Sequence, residues 1–506
     1  MSETVEEQQM RIAPKSIPSA TNSKWWLFCL AIVVLKFLLL ALDPLPKLYL
    51  GDSISYIWTA IFGWIPEDRS FFYGYVIRWS SVWTGSLTSL LIVQVSLSVV
   101  IAIIVAWICR AIFDLPGRLA YLFGFLCSID PLQLAWERYV MTETCSLFFY
   151  ALVLQQSFVY LRDRRLITLL LIQILSVITI GFRMSFLIVI QAMAVALPLI
   201  AFLAGTEPTE TATAVRLWRL QFLKRAVFWR HLAASLVTMF LLDQGYQHAY
   251  GFVSDREPAH LYGTGYFLLS IWAPALQPQD AADPRLAEII KHGSEFKLRD
   301  ISLRNAQRFA PGHLIDRWLR AETDRRKSGK IATRTALNAL QRDPAAVISL
   351  AAKTYFAYWS GRSVRKIAKA DLKIGAFPPD SGFKILAERF NWAARSQQQT
   401  LTTWYYVAGS PYFLLVLLSP LLSLVLLFIA RNKAHALLLF VHTTVLFAGT
   451  FLLSLFPVPR FLHPLSLLTL LSLALAMKSL LDWRSTAQGE GVVWLRREWC
   501  AQTSKD

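Results

Sequence analysis

The residues of this chain that could do chemistry are two carboxylates and a set of arginines, all placed where apolar runs end. Asp52 stands in LYLGDSISYIWTA (48–60), just after the apolar run WWLFCLAIVVLKFLLLAL (25–42), so it is expected a few residues beyond a membrane surface. Glu143 stands in WERYVMTETCS (136–146), at the head of another apolar run. Arg69, Arg78, Arg138, Arg183 and Arg460 each lie close to the end of such a run. GFRMSF (181–186) and FPVPRFLHPLSLL (456–468) bring Arg183, Arg460 and His463 into two tight connections.

A carboxylate within hydrogen-bond reach can take the proton of an attacking hydroxyl or amine. A guanidinium fork matches phosphate or pyrophosphate oxygens two at a time. A lipid phosphate leaves as a stable anion, so its departure needs charge stabilisation rather than a general acid. Asp52 is therefore the expected general base, and Arg69, Arg138, Arg183, Arg460 and His463 are the expected contacts to a donor phosphate. Glu143 is expected as a second acidic site. Each also has a plainer explanation. Asp52 beside Gly51 could cap a helix, and Glu143 could stabilise a helix N-terminus. Asp68 and Arg69 could pair locally, and single arginines could reach lipid headgroups.

The elements that must position these residues are helices in a bilayer. The chain has 506 residues, 55% of them hydrophobic, and its apolar runs of about twenty residues suit a hydrocarbon core of about 30 Å. Ten spans are expected, at 25–42, 82–108, 119–135, 143–161, 166–182, 184–204, 231–248, 411–430, 434–456 and 461–481. Much of the net charge of +18 collects in alternate short connections: Arg110 and Arg118; Arg162, Arg164 and Arg165; Arg216, Arg219, Lys224, Arg225 and Arg230; Arg431 and Lys433. That bias predicts both termini in the cytoplasm and puts Asp52, Glu143 and the five arginines on the outer face. The first 24 residues are polar and show no cleavage pattern, so the first span is expected to be retained. Cys29, Cys109, Cys127, Cys145 and Cys500 form no CxxC pair, and neither a disulfide framework nor a cysteine zinc site is expected. No nucleic-acid partner is expected either, because no recognised module accompanies the positive charge.

The loop after the first span, YLGDSISYIWTAIFGWIPEDRSFFYGYVIRWS, spaces its aromatic residues as one or two amphipathic helices lying in the interface would. A first span, a short acidic outer loop, many further spans and a late outer domain together resemble the GT-C superfamily of membrane glycosyltransferases. That superfamily includes the protein O-mannosyltransferases and the lipid A aminoarabinose transferases. The resemblance implies an all-α polytopic membrane protein with a GT-C-like bundle of about ten transmembrane helices. It implies Asp52 as catalytic base and an acidic residue at the head of a later helix, here Glu143, near the donor phosphate or a metal. It implies that Arg460, in an Arg-aromatic-x-x-Pro element, touches the donor phosphate. A divalent ion, Mg or Mn, shared by Asp52 and Glu143 is an optional part of this expectation. Ser53 follows Asp52 where the mannosyltransferases carry Glu, which leaves the acceptor open.

Five segments are expected: a cytoplasmic tail at 1–24, a membrane module at 25–248 with its first outer loop at 43–81, a helical extracytoplasmic domain at 249–410, further spans at 411–481 and a cytoplasmic tail at 482–506. In the run ALNALQRDPAAVISLAAKTYFAYWSG (336–361), Asp343-Pro344 should open a helix. YGTGYF (262–267) is too isolated to mark a nucleotide site. There is no GxxxxGK[ST], HExxH, GxSxG or DxD, so a sugar donor would be lipid-linked and used outside the cytoplasm. The expected function is transfer of a sugar from a polyprenyl-phosphate donor to a glycan, lipid or protein acceptor on the periplasmic side of a bacterial inner membrane. A transporter or flippase of a lipid-linked or anionic solute, or an enzyme like an O-antigen polymerase or ligase, remains the alternative.

Overall fold

The computed structural model describes residues 23–203, 225–359 and 363–503. Most of the N-terminal tail, the connecting residues Arg216, Arg219 and Lys224, and the last three residues of the C-terminal tail lie outside them. The described residues are helical and form no strand; one isolated parallel bridge joins Lys47 to Tyr139. Helix α1 is Ser23–Leu42, followed by the short α2 (Asp52–Phe62) and α3 (Phe72–Ile77). The bundle continues with α4 (Thr88–Trp107), α5 (Gly117–Ser128), α6 (Pro131–Trp136), α7 (Glu143–Asp163), α8 (Leu166–Phe182), α9 (Leu187–Leu203) and α10 (Ala226–Val253). A run of shorter helices follows: α11 (Thr264–Ile271), α12 (Pro284–Lys291), α13 (Arg304–Phe309), α14 (Leu314–Ala321), α15 (Arg325–Arg342), α16 (Pro344–Phe356), α17 (Ser363–Asp371), α18 (Asp380–Phe390) and α19 (Leu401–Ala408). The chain returns to the bundle with α20 (Ser410–Leu417), α21 (Ser419–Ile429), α22 (Lys433–Leu452) and α23 (His463–Thr503).

Among the described residues seven helices are long and apolar enough to cross a membrane, and α20 with α21, bent by 50°, would make an eighth. The protein is a multi-pass membrane protein. The sequence reading of about ten spans is corrected at two places. Helix α8 has 17 residues, about 26 Å at 1.5 Å per residue, short of the hydrocarbon thickness. The run 119–135 is not one helix at all. Asp130 turns its carboxylate onto the N–H groups of Leu132 (2.7 Å) and Gln133 (3.3 Å), and Pro131 takes the first position of a new helix. A cap and a proline inside an apolar stretch end the helix locally while hydropathy averages over them.

One apolar core runs through α1, α4 to α9 and α20 to α23, so the N-terminal and C-terminal spans form a single bundle. The stretch 249–410 divides its contacts. Helices α11, α12, α14 and α15 close around Trp318, Tyr266 and Leu286 in a core of their own. Val364, Leu372, Leu386, Trp392 and Tyr406 belong to the bundle core instead. Gly265 explains YGTGYF: a Cβ there would lie 2.3 Å from the Gly329 carbonyl, so the glycine lets α11 approach α15.

Inside the bundle three charges pair, although Arg138 Nε and Nη2 are left without a hydrogen bond. Lys36 Nζ binds Glu137 Oε2 at 2.6 Å and the Ser128 carbonyl at 3.1 Å, and Arg138 Nη1 binds Glu137 Oε1 at 2.9 Å. All three side chains are at most 1% exposed. Removing the carboxylate would leave two buried cations facing each other, a loss of about 3–5 kcal/mol. Glu137→Ala should therefore unfold at markedly lower temperature in detergent, and adding Lys36→Met should recover part of the loss. Unchanged melting of Glu137→Ala would contradict the role of the triad.

Candidate functional site

The site is built where helix ends meet. Gly51 adopts φ +86°, a conformation closed to most side chains, and turns the chain into α2 with Asp52 as its first residue. Asp52 does not cap the helix. Ser53, the residue that departs from the mannosyltransferase pattern, is fully buried. Its hydroxyl accepts from the Tyr49 N–H (2.7 Å) and donates to the Val140 carbonyl (2.8 Å), which ties the head of α2 to the strand-like segment before Glu143. From the other side, residues 371–403 clamp the approach to Asp52. Gln397 exchanges hydrogen bonds with the backbone of Leu48, Lys47 Nζ reaches the Ser396 carbonyl, and Trp392 Nε1 donates to the Pro46 carbonyl.

Asp52 is held by two guanidinium groups. Its Oδ1 accepts from Arg69 Nη2 in a short ion pair and its Oδ2 accepts from Arg460 Nη1 at 2.9 Å. Arg69 also binds Asp68 at 2.8 Å. Arg460 lies over the Tyr49 ring at 4.2 Å, with Nε 3.5 Å from Glu143 Oε1. Arg183 Nη1 approaches the same Glu143 oxygen at 3.8 Å. Glu143 opens α7, where the helix dipole favours a negative charge. These groups line a cavity of about 460 Å³ at the end of the bundle, with Leu261, Phe267, Asn305 and Phe309 closing it from the separate helical layer.

No protein-family model, no curated protein and no solved structure matches this chain. What the arrangement can do follows from its own chemistry. Arg183 Nη1, Arg460 Nε and Glu143 Oε2 are buried and make no hydrogen bond, although the two arginines face a carboxylate only 3.5–3.8 Å away. Buried polar groups normally find partners, so two guanidinium N–H groups without one, Arg183 Nη1 and Arg460 Nε, describe a place suited to an oxyanion, while the free Glu143 oxygen can only accept a hydrogen bond. Burial pushes the Asp52 carboxyl upward, but Arg69 and Arg460 outweigh it and hold the group below the usual carboxylate range. In this state Asp52 is ionised and well restrained. Asp52 and Glu143 are joined through Arg460, so a divalent ion shared by the two would require that guanidinium to move. Among the described residues no three His, Cys, Asp or Glu side chains converge as metal ligands.

Of the residues singled out from sequence, Asp52, Glu143, Arg69, Arg183 and Arg460 meet around the cavity. Arg138 does not: it is spent in the triad with Glu137 and Lys36. His463 is also elsewhere, buried with Nε2 2.6 Å from Gln133 Oε1 and outside the cavity wall. Arg78 is exposed and lies apart from it. The reading from sequence missed Asp371 and Lys373. Asp371 accepts the backbone N–H of Arg460 at 3.0 Å and the Tyr406 hydroxyl at 2.9 Å, and Lys373 lines the cavity over the Tyr49 ring at 5.9 Å. Both sit far in sequence from any span end, so the criterion that found the others passed them over.

Burial raises the Asp371 carboxyl from 3.8 to about 6, against the opposing pull of Arg460. An acid whose folded pKa is raised favours folding fully below 3.8, and that contribution is lost as pH climbs through about 6. Relative to Asp371→Asn, the native protein should lose on the order of 3 kcal/mol between pH 4 and pH 7. Thermal unfolding of both proteins across that range checks this, and parallel curves would contradict it.

Proposed function

We propose that this protein is a GT-C-type glycosyltransferase that moves a sugar from a polyprenyl-phosphate donor to an acceptor on the outer face of the membrane. The observation that carries the reading is the convergence of Arg183 and Arg460, each with an unmatched buried N–H, on the cavity that also holds Asp52. A single phosphate suits the two arginines, and the helix ends around the cavity suit a donor whose chain lies in the bilayer. The active site is accordingly assigned to the periplasmic side of a bacterial inner membrane, with both termini cytoplasmic.

Asp52 acts as general base. At rest it is a weak one, because two guanidinium groups stabilise its charge. A donor phosphate competes for Arg460 and frees one carboxylate oxygen. The acceptor oxygen then attacks the anomeric carbon, its proton passes to Asp52, and the bond from that carbon to the phosphate oxygen breaks with its electron pair going to the lipid phosphate. Attack opposite the leaving group inverts the anomeric centre. Arg183 and Arg460 stabilise the departing charge, and Glu143 keeps the two arginines in place.

Purified protein in proteoliposomes, given a panel of radiolabelled polyprenyl-phosphate sugars, tests this reading. Label should leave the lipid with one donor of the panel. Asp52→Asn should slow transfer by about 10²–10⁴-fold, while Arg460→Ala should chiefly raise the donor concentration required. Full activity in Asp52→Asn would contradict the assignment of the base, and movement of donor across the bilayer without loss of sugar would point to transport.

A further inference from the structure

Beside the first cavity lies a second, of about 640 Å³, that the transfer mechanism leaves unused. The two share Leu50, Gly51, Asp68 and Arg69. Arg69 forms the partition, with one nitrogen on Asp52 and another on Asp68. Anything held in the second cavity therefore lies one side chain away from Asp52.

Its walls combine two features. One is aromatic: Trp58 and Trp64 meet edge to face with ring centroids 6.0 Å apart, and Trp64 is 51% exposed. Flat indole faces of this kind match the C–H face of a sugar ring. The other is a surplus of positive charge. Arg69, Arg256, Arg308 and Arg325 line the cavity against only Glu67 and Asp68. The two acids are already engaged, Asp68 by Arg69 at 2.8 Å and Glu67 by Arg256 at 3.4 Å. Among the described residues no carboxylate lies within ion-pair distance of Arg308 or Arg325. Arg308 is held rigidly, its guanidinium 4.7 Å from the Phe267 ring and 4.9 Å from that of Phe309, and its buried Nε has no hydrogen-bond partner. A stacked guanidinium with free edge N–H groups is already ordered for an oxyanion, so little side-chain entropy is lost on binding.

We propose that the second cavity is the acceptor site and that the acceptor is an acidic saccharide, its ring on Trp58 and Trp64 and its carboxylate or phosphate on Arg308 and Arg325. This deepens the transferase reading and rests on it for the word acceptor. The charge balance selects an acid over a neutral glycan. The shared wall then delivers a hydroxyl of the bound saccharide past Arg69 towards Asp52.

The experiment measures binding without donor, in zwitterionic nanodiscs, using tetragalacturonate against neutral maltotetraose as probes. The acidic tetrasaccharide should bind about ten-fold or more tightly than the neutral one, the range expected for one charge-assisted hydrogen-bonded contact. Arg325→Glu changes an exposed residue and should fold normally; it should lower affinity for tetragalacturonate by about ten-fold or more and leave maltotetraose unaffected. Arg308→Ala should act in the same direction, with its melting temperature recorded alongside. Equal binding of the two probes, or tetragalacturonate binding indifferent to Arg325→Glu in a folded protein, would overturn the proposal. Because no donor is present, that failure is separate from failure of the transferase reading, which the donor panel decides.

Discussion

The guanidinium of Arg460 is the point on which the site depends. It starts in the turn Pro459–Leu462 that leads into the last span, and Asp371 fixes the backbone N–H of the same residue. Its side chain lies over Tyr49, binds Asp52 and approaches Glu143. The heads of α2 and α7, the end of α17 and the start of the last span are thereby brought together, although they are spread along the chain from Asp52 to Arg460. A guanidinium that is only 12% exposed is tolerated when carboxylates surround it. Removing any one of these acids therefore alters the position of the others.

The packing around this cluster turns a local ion pair into a rigid site. Ser53 anchors the head of α2 to Val140, and Gln397 and Trp392 fasten the loop before Asp52 from the opposite direction. The charge triad of Lys36, Glu137 and Arg138 locks the segment that carries Glu143 to the first span. Asp52 is consequently held between elements that have their own reasons to be where they are. That is the preorganisation a site needs if a ligand is to redistribute charge without reorganising the protein.

Much of this was legible in the sequence, and the limits have physical causes. Apolar runs and their flanking charges marked the bundle and drew attention to Asp52, Glu143, Arg69, Arg183 and Arg460, since a charge at the edge of a hydrocarbon layer needs a reason to be there. The same criterion could not tell an arginine facing a cavity from one closing a buried ion pair, and so it included Arg138. It could not see the cap at Asp130 that breaks an apolar stretch, nor the Gln133 side chain that holds His463 away from the cavity. Asp371 and Lys373 arrive from a polar helix by tertiary packing alone, and no spacing along the chain announces them. The proposed likeness to the GT-C superfamily rests on layout and short motifs.

The chemistry of the cavity has a characteristic tension. Under the proposed function, the carboxylate that would accept the proton is, at rest, stabilised by the same cations that suit a donor phosphate, so the base is restrained until the donor arrives. On that proposal, donor binding and base activation are a single exchange of ion pairs at Arg460. A cryo-electron-microscopy structure of the protein in nanodiscs with a polyprenyl monophosphate tests this most directly. The account predicts the phosphate on Arg183 and Arg460, with Arg460 drawn off Asp52 and one carboxylate oxygen open to the cavity. A phosphate bound elsewhere, or Arg460 still paired with Asp52 beside a bound phosphate, would contradict it.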